Sequence, residues 1–191
     1  MCGSLERHRL CWLFLTGRTD LFDGRPRRML HVAPEPVLTR RFQRVHGIDY
    51  VSVDLCSRLA DVHMDLAQLA FADETFHVIY CSHVLEHIQD DVQAMRELRR
   101  VLRPDGWAIL QVPILREVTF EDPRITDPDE RLAMFGQHDH VRIYGQDFAD
   151  RLREAGFQVR IDRLDEQADP VRRTLYGLDP TDSIFFCVTG V

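Results

Sequence analysis

A doubly wound, mostly parallel α/β sheet is the fold this sequence predicts, on three observations. Seven short apolar runs recur along the chain, stretches of helical spacing separate the early ones, and the last two form a late pair that leaves one strand antiparallel. The 191 residues, 45% of them hydrophobic, can bury one sizeable core. Residues 5 to 15 read as a short helix, and Gly17 to Arg27 as a connection. Met29 to Ala33 is a compact apolar strand that stops at Pro34, and Pro36 then opens a helix to about Val45, ended by Gly47. Tyr50 to Val53 is a second strand ending at Asp54, and a weaker third runs from Asp61 to Met64 before Asp65. Phe76 to Cys81 is the fourth. After it, Val92, Met95, Leu98, Val101 and Leu102 recur at helical spacing until Pro104-Asp105-Gly106, and Trp107 to Val112 forms the fifth strand. Residues 114 to 140 show no clear periodicity and read as a lid. A helix marked by Phe148, Leu152 and Ala155 ends at Gly156, followed by strands Phe157 to Ile161 and Ser183 to Val188.

Composition excludes several functions. The formal charge is -7, and all 24 positive side chains are Arg. Without Lys there is neither Schiff-base chemistry nor the phosphate-gripping Lys of a nucleotide-triphosphate loop. An acidic chain does not attract polyanions, so nucleic acid is not an expected partner. Five cysteines at wide, irregular spacing suit reduced thiols, and the longest apolar run, Leu10 to Leu15, is too short to span a bilayer. A cytoplasmic monomer or homodimer acting away from membranes is the expectation.

In an open parallel sheet the ligand sits outside the carboxyl ends of the strands. That gathers Ala33 to Val37, Asp54, Asp65 and Cys81 to His87 around one crevice. Asp54 follows the first turn by roughly 20 residues, where a carboxylate meets ribose hydroxyls, unless it merely caps a turn. The first turn, Ala33-Pro34-Glu35-Pro36-Val37, lacks the glycines that let a backbone approach a pyrophosphate, and its Glu would repel one. NAD and FAD therefore fit poorly. S-adenosylmethionine (SAM), a nucleoside with no phosphate and a positive sulfur, fits better.

The order Met29-Leu30-His31-Val32-Ala33, Tyr50 to Asp54, His63 to Leu66, Phe76 to His87 and Leu98 to Gly106 resembles class I SAM-dependent methyltransferases of the type 11 group. The resemblance covers about residues 28 to 161 and implies a Rossmann-like sheet of seven strands binding S-adenosyl-L-methionine. It implies that Asp54 holds the ribose with Leu55 beside it, that Asp65 and Leu66 flank the adenine, and that Ser82 and His83 line the methionine moiety. His31, Ala33 and Glu35 fall in the first cofactor-binding motif, His31 where the family has an acidic residue and Ala33, Glu35 and Val37 at its glycine positions. Residues 28 to 191 are then the methyltransferase domain, with a lid-like insertion around 114 to 145, and 1 to 27 are a helical lead-in. Its start, Cys2 to Arg9, resembles the end of a Cys-rich zinc knuckle, but no four-ligand site can be drawn from it.

Methyl transfer is an in-line displacement, so the protein supplies alignment, a dry pocket and sometimes a base. His87, four residues after His83 and so expected on the same helical face, is the first candidate base, although it could equally pack under the ligand. His83-Val84-Leu85-Glu86-His87 also spells the H-x-x-E-H of inverted zinc hydrolases, with Glu97 the conceivable third ligand. The nucleoside landmarks oppose that reading, and no metal is assigned. In Gly136 to Gly145, His140, Arg142 and Tyr144 alternate onto one face and could orient an acceptor, with His140 and Tyr144 catalytic; a solvated loop is the competing reading. Arg96, Arg99, Arg100 and Arg103 read as a solvated face, and His63 and His77 as strand residues without a role. The expected activity is methylation of a small-molecule acceptor. The same fold could instead cyclise or cleave SAM, or bind it without catalysis. Residues 164 to 182 could wall the acceptor site or form a subunit contact.

Overall fold

A computed structural model describes residues 3–163, 170–179 and 182–190. Cys2 of the knuckle-like start lies outside them, as do residues 164–169 and 180–181 of the 164 to 182 segment. Seven strands form one sheet: β1 (Arg27–Val32), β2 (Ile48–Asp54), β3 (Val62–His63), β4 (Phe76–Ser82), β5 (Leu102–Gln111), β9 (Gln158–Asp162) and β10 (Ile184–Val188). Their order across the sheet is β3-β2-β1-β4-β5-β10-β9. The first five run parallel, and β10 lies antiparallel between β5 and β9. The chain reverses direction across the sheet after β3, when β4 pairs on the far side of β1. That reversal opens the crevice at the carboxyl ends.

Strict alternation along the buried strands builds two cores. Leu30, Val32, Ile79, Cys81, Ala108 and Leu110 face α3 (Asp91–Val101) and α5 (Phe148–Glu154), meeting Met95, Leu98, Phe148 and Leu152. Met29, Val78, Tyr80, Trp107 and Ile109 face α1 (Glu6–Arg18) and α2 (Pro36–Phe42), meeting Leu10, Phe14, Leu38 and Phe42. α3 starts where Asp90 accepts the Gln93 N–H at 3.0 Å. It stops at Val101, earlier than the sequence predicts. Pro104 disfavours helical backbone at the residue before it, and Leu102 already pairs with Phe76 of β4.

The lid expectation needs correction in its form. Residues 114–145 are not an irregular loop but a second sheet, β6 (Ile114–Arg116), β8 (Arg142–Gly145) and β7 (Phe120–Glu121) in that order, with α4 (Pro128–Phe135) between β7 and β8. Gly145 makes the close packing feasible: a Cβ there would run into the Val118 backbone. Asp127 caps α4 by accepting the Asp129 and Glu130 N–H groups. Beyond the first sheet, α6 (Pro170–Tyr176) is tied to α1 by Arg9, whose guanidinium donates to the carbonyls of Tyr176 and Gly177. No helix among the described residues is long and apolar enough to cross a membrane.

Candidate functional site

The crevice is built on four strand ends in register. Val32 of β1 lies beside Val53 of β2 and Cys81 of β4, and Ser82 lies beside Gln111 of β5. Just past the ends of β1 and β4 the backbone turns through the left-handed region at non-glycine residues, with φ of 49° at Ala33 and 55° at His83. Neighbouring strands hold both turns: Ala33 N–H donates to the Val53 carbonyl and His83 N–H to the Gln111 carbonyl, each at 2.8 Å. Ala33 thus holds a conformation that glycine adopts more readily than alanine.

Asp54 ends β2. Its Oδ1 accepts the N–H groups of Cys56 at 2.9 Å and Ser57 at 2.7 Å, which fixes the carboxylate and leaves Oδ2 without a hydrogen bond among the described residues. The capping and the ligand readings of Asp54 are therefore compatible. Leu55 beside it is 70% exposed, an apolar side chain held at the mouth of the crevice. Asp65 Oδ1 accepts the Ala67 N–H at 2.8 Å, and Leu66 is buried next to it. Ser82 is buried, its hydroxyl donating to Gln111 Oε1 at 3.3 Å.

Two expected cofactor residues sit differently. His31 is wholly buried in the layer beneath the crevice, ringed edge-on by Phe42, Tyr50 and Tyr80, with Nδ1 2.8 Å from the Tyr50 hydroxyl. Burial pushes its pKa down to about 3, so it is a neutral ring, not a replacement for a carboxylate. Glu35 turns back onto α1, 2.6 Å from Arg7 and 2.8 Å from His8 Nε2. Desolvation opposes its charge, but contact with His8 and Arg7 outweighs it and holds the carboxyl below its usual range. Its negative charge is thus partly neutralised at the crevice. Sequence reading did not foresee Arg7 and His8 here, because they lie on a helix remote in the chain.

His83 and His87 do not share a helical face. His83 precedes a 3₁₀ turn, Leu85–His87, whose Glu86 carbonyl accepts the Val141 N–H at 3.0 Å and so brings the segment before β8 alongside. His140 then stacks edge-on against His87, ring centroids 4.7 Å apart. Burial, reinforced by His87, lowers the His140 pKa. His87 Nδ1 lies 3.2 Å from Asp139 Oδ2, and His83 Nδ1 lies 3.4 Å from Glu86 Oε1. Glu86 is 1% exposed, and its Oε2 has no hydrogen-bond partner among the described residues. Glu97 does not join this group: it pairs with Arg100 at 2.7 Å and accepts the Leu69 N–H. His138 points elsewhere, its Nδ1 3.1 Å from the Pro128 carbonyl.

Arg142 and Tyr144 are buried in internal contacts. Arg142 is 2% exposed, donating to the carbonyls of Leu85, Ile88 and Gln89 and to Glu121. The Tyr144 hydroxyl donates to Asp91 Oδ2 at 2.6 Å, and burial followed by the Asp91 charge pushes its pKa far up. Asp91 also takes Arg151 at 2.8 Å. A first-turn acid of α3 is thus the centre of a buried network. Arg99 and Arg100 are no idle solvated face either: Arg99 donates to the Gly156 and Thr189 carbonyls, and Arg100 to those of Leu69 and Phe71.

Residues 32–110 match a family model described as a methyltransferase domain. A probable S-adenosylmethionine-dependent methyltransferase of Mycolicibacterium smegmatis is 31% identical over 124 residues, 61% of this chain and 44% of that protein. The chain spans less than half the length of the curated relatives it matches. Among solved structures, the [4+2]-cyclase SpnF superposes with a TM-score of 0.67 at 18% identity, over 96% of this chain and 81% of that one. A Haemonchus contortus phosphoethanolamine N-methyltransferase 2 bound to phosphomonomethylethanolamine and S-adenosylhomocysteine superposes with a TM-score of 0.65 at 13% identity, over 97% of this chain and 53% of that one. These likenesses establish the fold.

Proposed function

We propose that the chain is a class I SAM-dependent methyltransferase domain, a reading supported by the family model over residues 32–110 and by the relative 31% identical to it, and that it transfers a methyl group to a small-molecule acceptor bound beneath residues 114–145. The observation that carries this reading is Asp54, whose carboxylate is fixed through one oxygen by two backbone N–H groups while the other is left for a ligand. The residues present fit a nucleoside. Asp54 would accept the ribose hydroxyls, Leu55 and Leu66 would offer apolar contact to the base beside Asp65, and Ser82 and His83 would border the methionine end. SAM, when bound, supplies a methyl group on a positively charged sulfur. The carboxylates of Asp54 and Asp65 favour that positive charge, and Arg7, which pairs with Glu35, offers a guanidinium to an amino-acid carboxylate. His87 and His140 are the groups we place at the reacting atom of the acceptor. Tyr144 serves them indirectly, by holding the turn on which His87 sits. We further infer a cytoplasmic monomer or homodimer without a nucleic-acid partner, in keeping with its charge of -7.

Incubation of the protein with SAM and a panel of hydroxylated and amine acceptors tests the reading. S-adenosylhomocysteine is the expected product. Methylthioadenosine would replace methyl transfer by the second reading, cyclisation or elimination of SAM, which the likeness to a cyclase fold keeps open. Failure to bind SAM in calorimetry by a folded protein would overturn both. Replacing Asp54 by Ala is expected to weaken SAM about 10- to 100-fold, the loss of charge-assisted hydrogen bonds of roughly 1.5–3 kcal/mol.

A further inference from the structure

We propose that Glu86, His87 and His140 form a binding site for one divalent transition-metal ion at the acceptor end of the crevice. Each residue offers one ligand atom, and the three atoms lie within 4.8 Å of one another. An ion with ligand bonds of about 2.0–2.2 Å holds its ligand atoms roughly 3.0–3.6 Å apart, so the three side chains draw together by about 1 Å on binding. Two imidazoles and one carboxylate are the donor set of borderline ions such as zinc, cobalt, manganese or iron, with coordination positions left open.

Glu86 supplies the independent evidence. A carboxylate 1% exposed, with Oε2 lacking any hydrogen-bond partner among the described residues, is costly unless a cation completes it. Its other oxygen is turned toward His83. The carboxylate of Asp139 beside His87 is the outer partner that orients metal-bound histidines. The frame is also preset. The Val141 N–H bond to the Glu86 carbonyl and the Arg142 bonds to Leu85, Ile88 and Gln89 lock the turn carrying Glu86 and His87 against the segment carrying His140. His87 is the partly open member of the three, so the free coordination positions face the crevice on its side. There the ion would engage oxygen or nitrogen atoms of the acceptor. This deepens the methyltransferase reading and rests on it for the acceptor alone; the metal site itself does not.

Tag-free protein, stripped with chelator and titrated with cobalt(II), manganese(II) or zinc(II) alone, tests the proposal through visible absorption of the cobalt form, calorimetry and thermal denaturation. The expected result is one ion per chain and a raised Tm. Glu86→Gln and His140→Ala should each weaken binding at least about tenfold, the loss that even an outer partner of a metal ligand produces. His138→Ala, on an exposed neighbour, should leave binding unchanged. Glu86→Gln removes an unpaired buried charge and should fold at least as stably as the metal-free parent, so lost binding there cannot be ascribed to unfolding. Absence of saturable binding, or equal binding by all three variants, overturns the site. SAM calorimetry on the metal-free protein separates the two readings, because SAM binding without metal binding sinks only this one.

Discussion

Ala33 and His83 show how single residues carry the geometry of the crevice. Each holds a positive φ that a side chain resists, at a cost of roughly 1–2 kcal/mol, because a neighbouring strand takes up its N–H. Ala33→Gly relieves that strain but frees the unfolded chain by a comparable amount. Chemical denaturation should therefore place it within about 1 kcal/mol of the parent, with SAM affinity equal or better. Ala33→Val, branched at Cβ, should lose more than about 2 kcal/mol. His31 gives a pH signature. Its folded pKa, pushed down to about 3 by burial, lies below the ordinary value of 6.5. Between those values the unfolded chain binds a proton that the folded chain does not, so this contribution is complete above 6.5 and is lost on acidification toward 3. The acid limb of stability against pH should flatten in His31→Phe, whatever its absolute stability; an unchanged slope would contradict the assignment. Asp54 and Asp65 were legible in the sequence because strand tips are read directly from where apolar runs stop. His31 was placed at the right strand end, but the ring cage that neutralises it comes from α2, β2 and β4 and no local pattern announces it.

At the scale of elements, the contact between the β4–α3 connection and the small sheet decides how the crevice is roofed. Arg142 joins four carbonyl or carboxylate partners there, and Asp91 joins Tyr144 and Arg151. Arg142→Met keeps the volume of the stem but strips the Leu85, Ile88 and Gln89 carbonyls of their donor and leaves Asp91 less compensated. Urea unfolding should show a loss of about 3–5 kcal/mol. Asp91→Asn should fall in the same range and be partly non-additive with it, since the two share one network. The seven principal strands and their helices were readable from spacing, whereas the small sheet was not. Its strands include the two-residue Phe120–Glu121 and the three-residue Ile114–Arg116, shorter than any alternation can register. Asp91 went unread for a related reason: Val92 carries the apolar signal of the first turn of α3, yet the acid beside it is the residue turned inward.

For the whole molecule, the sheet divides two cores, and the crevice opens where both reach the strand ends. A ligand gripped by Asp54, Asp65 and the β4 tip touches elements of the folded state alone, so binding must add to global stability. SAM at about 100 times its Kd should contribute about 2.7 kcal/mol, which for a chain of this size raises Tm by roughly 5–10 °C. Differential scanning fluorimetry reads this directly, and Asp54→Ala should abolish most of the rise at equal SAM concentration. The overall architecture was thus the most legible level, since it follows from the order of strands, while the closure of the crevice by remote side chains was the least. The clamp at Arg142 also bears on how new specificities could arise. Its grip joins β8 to Glu121 of β7 and to the turn beneath, and these bonds stop short of α4. On the proposed reading, the stretch through α4 could be exchanged as a cassette, swapping the acceptor without disturbing the cofactor's grip.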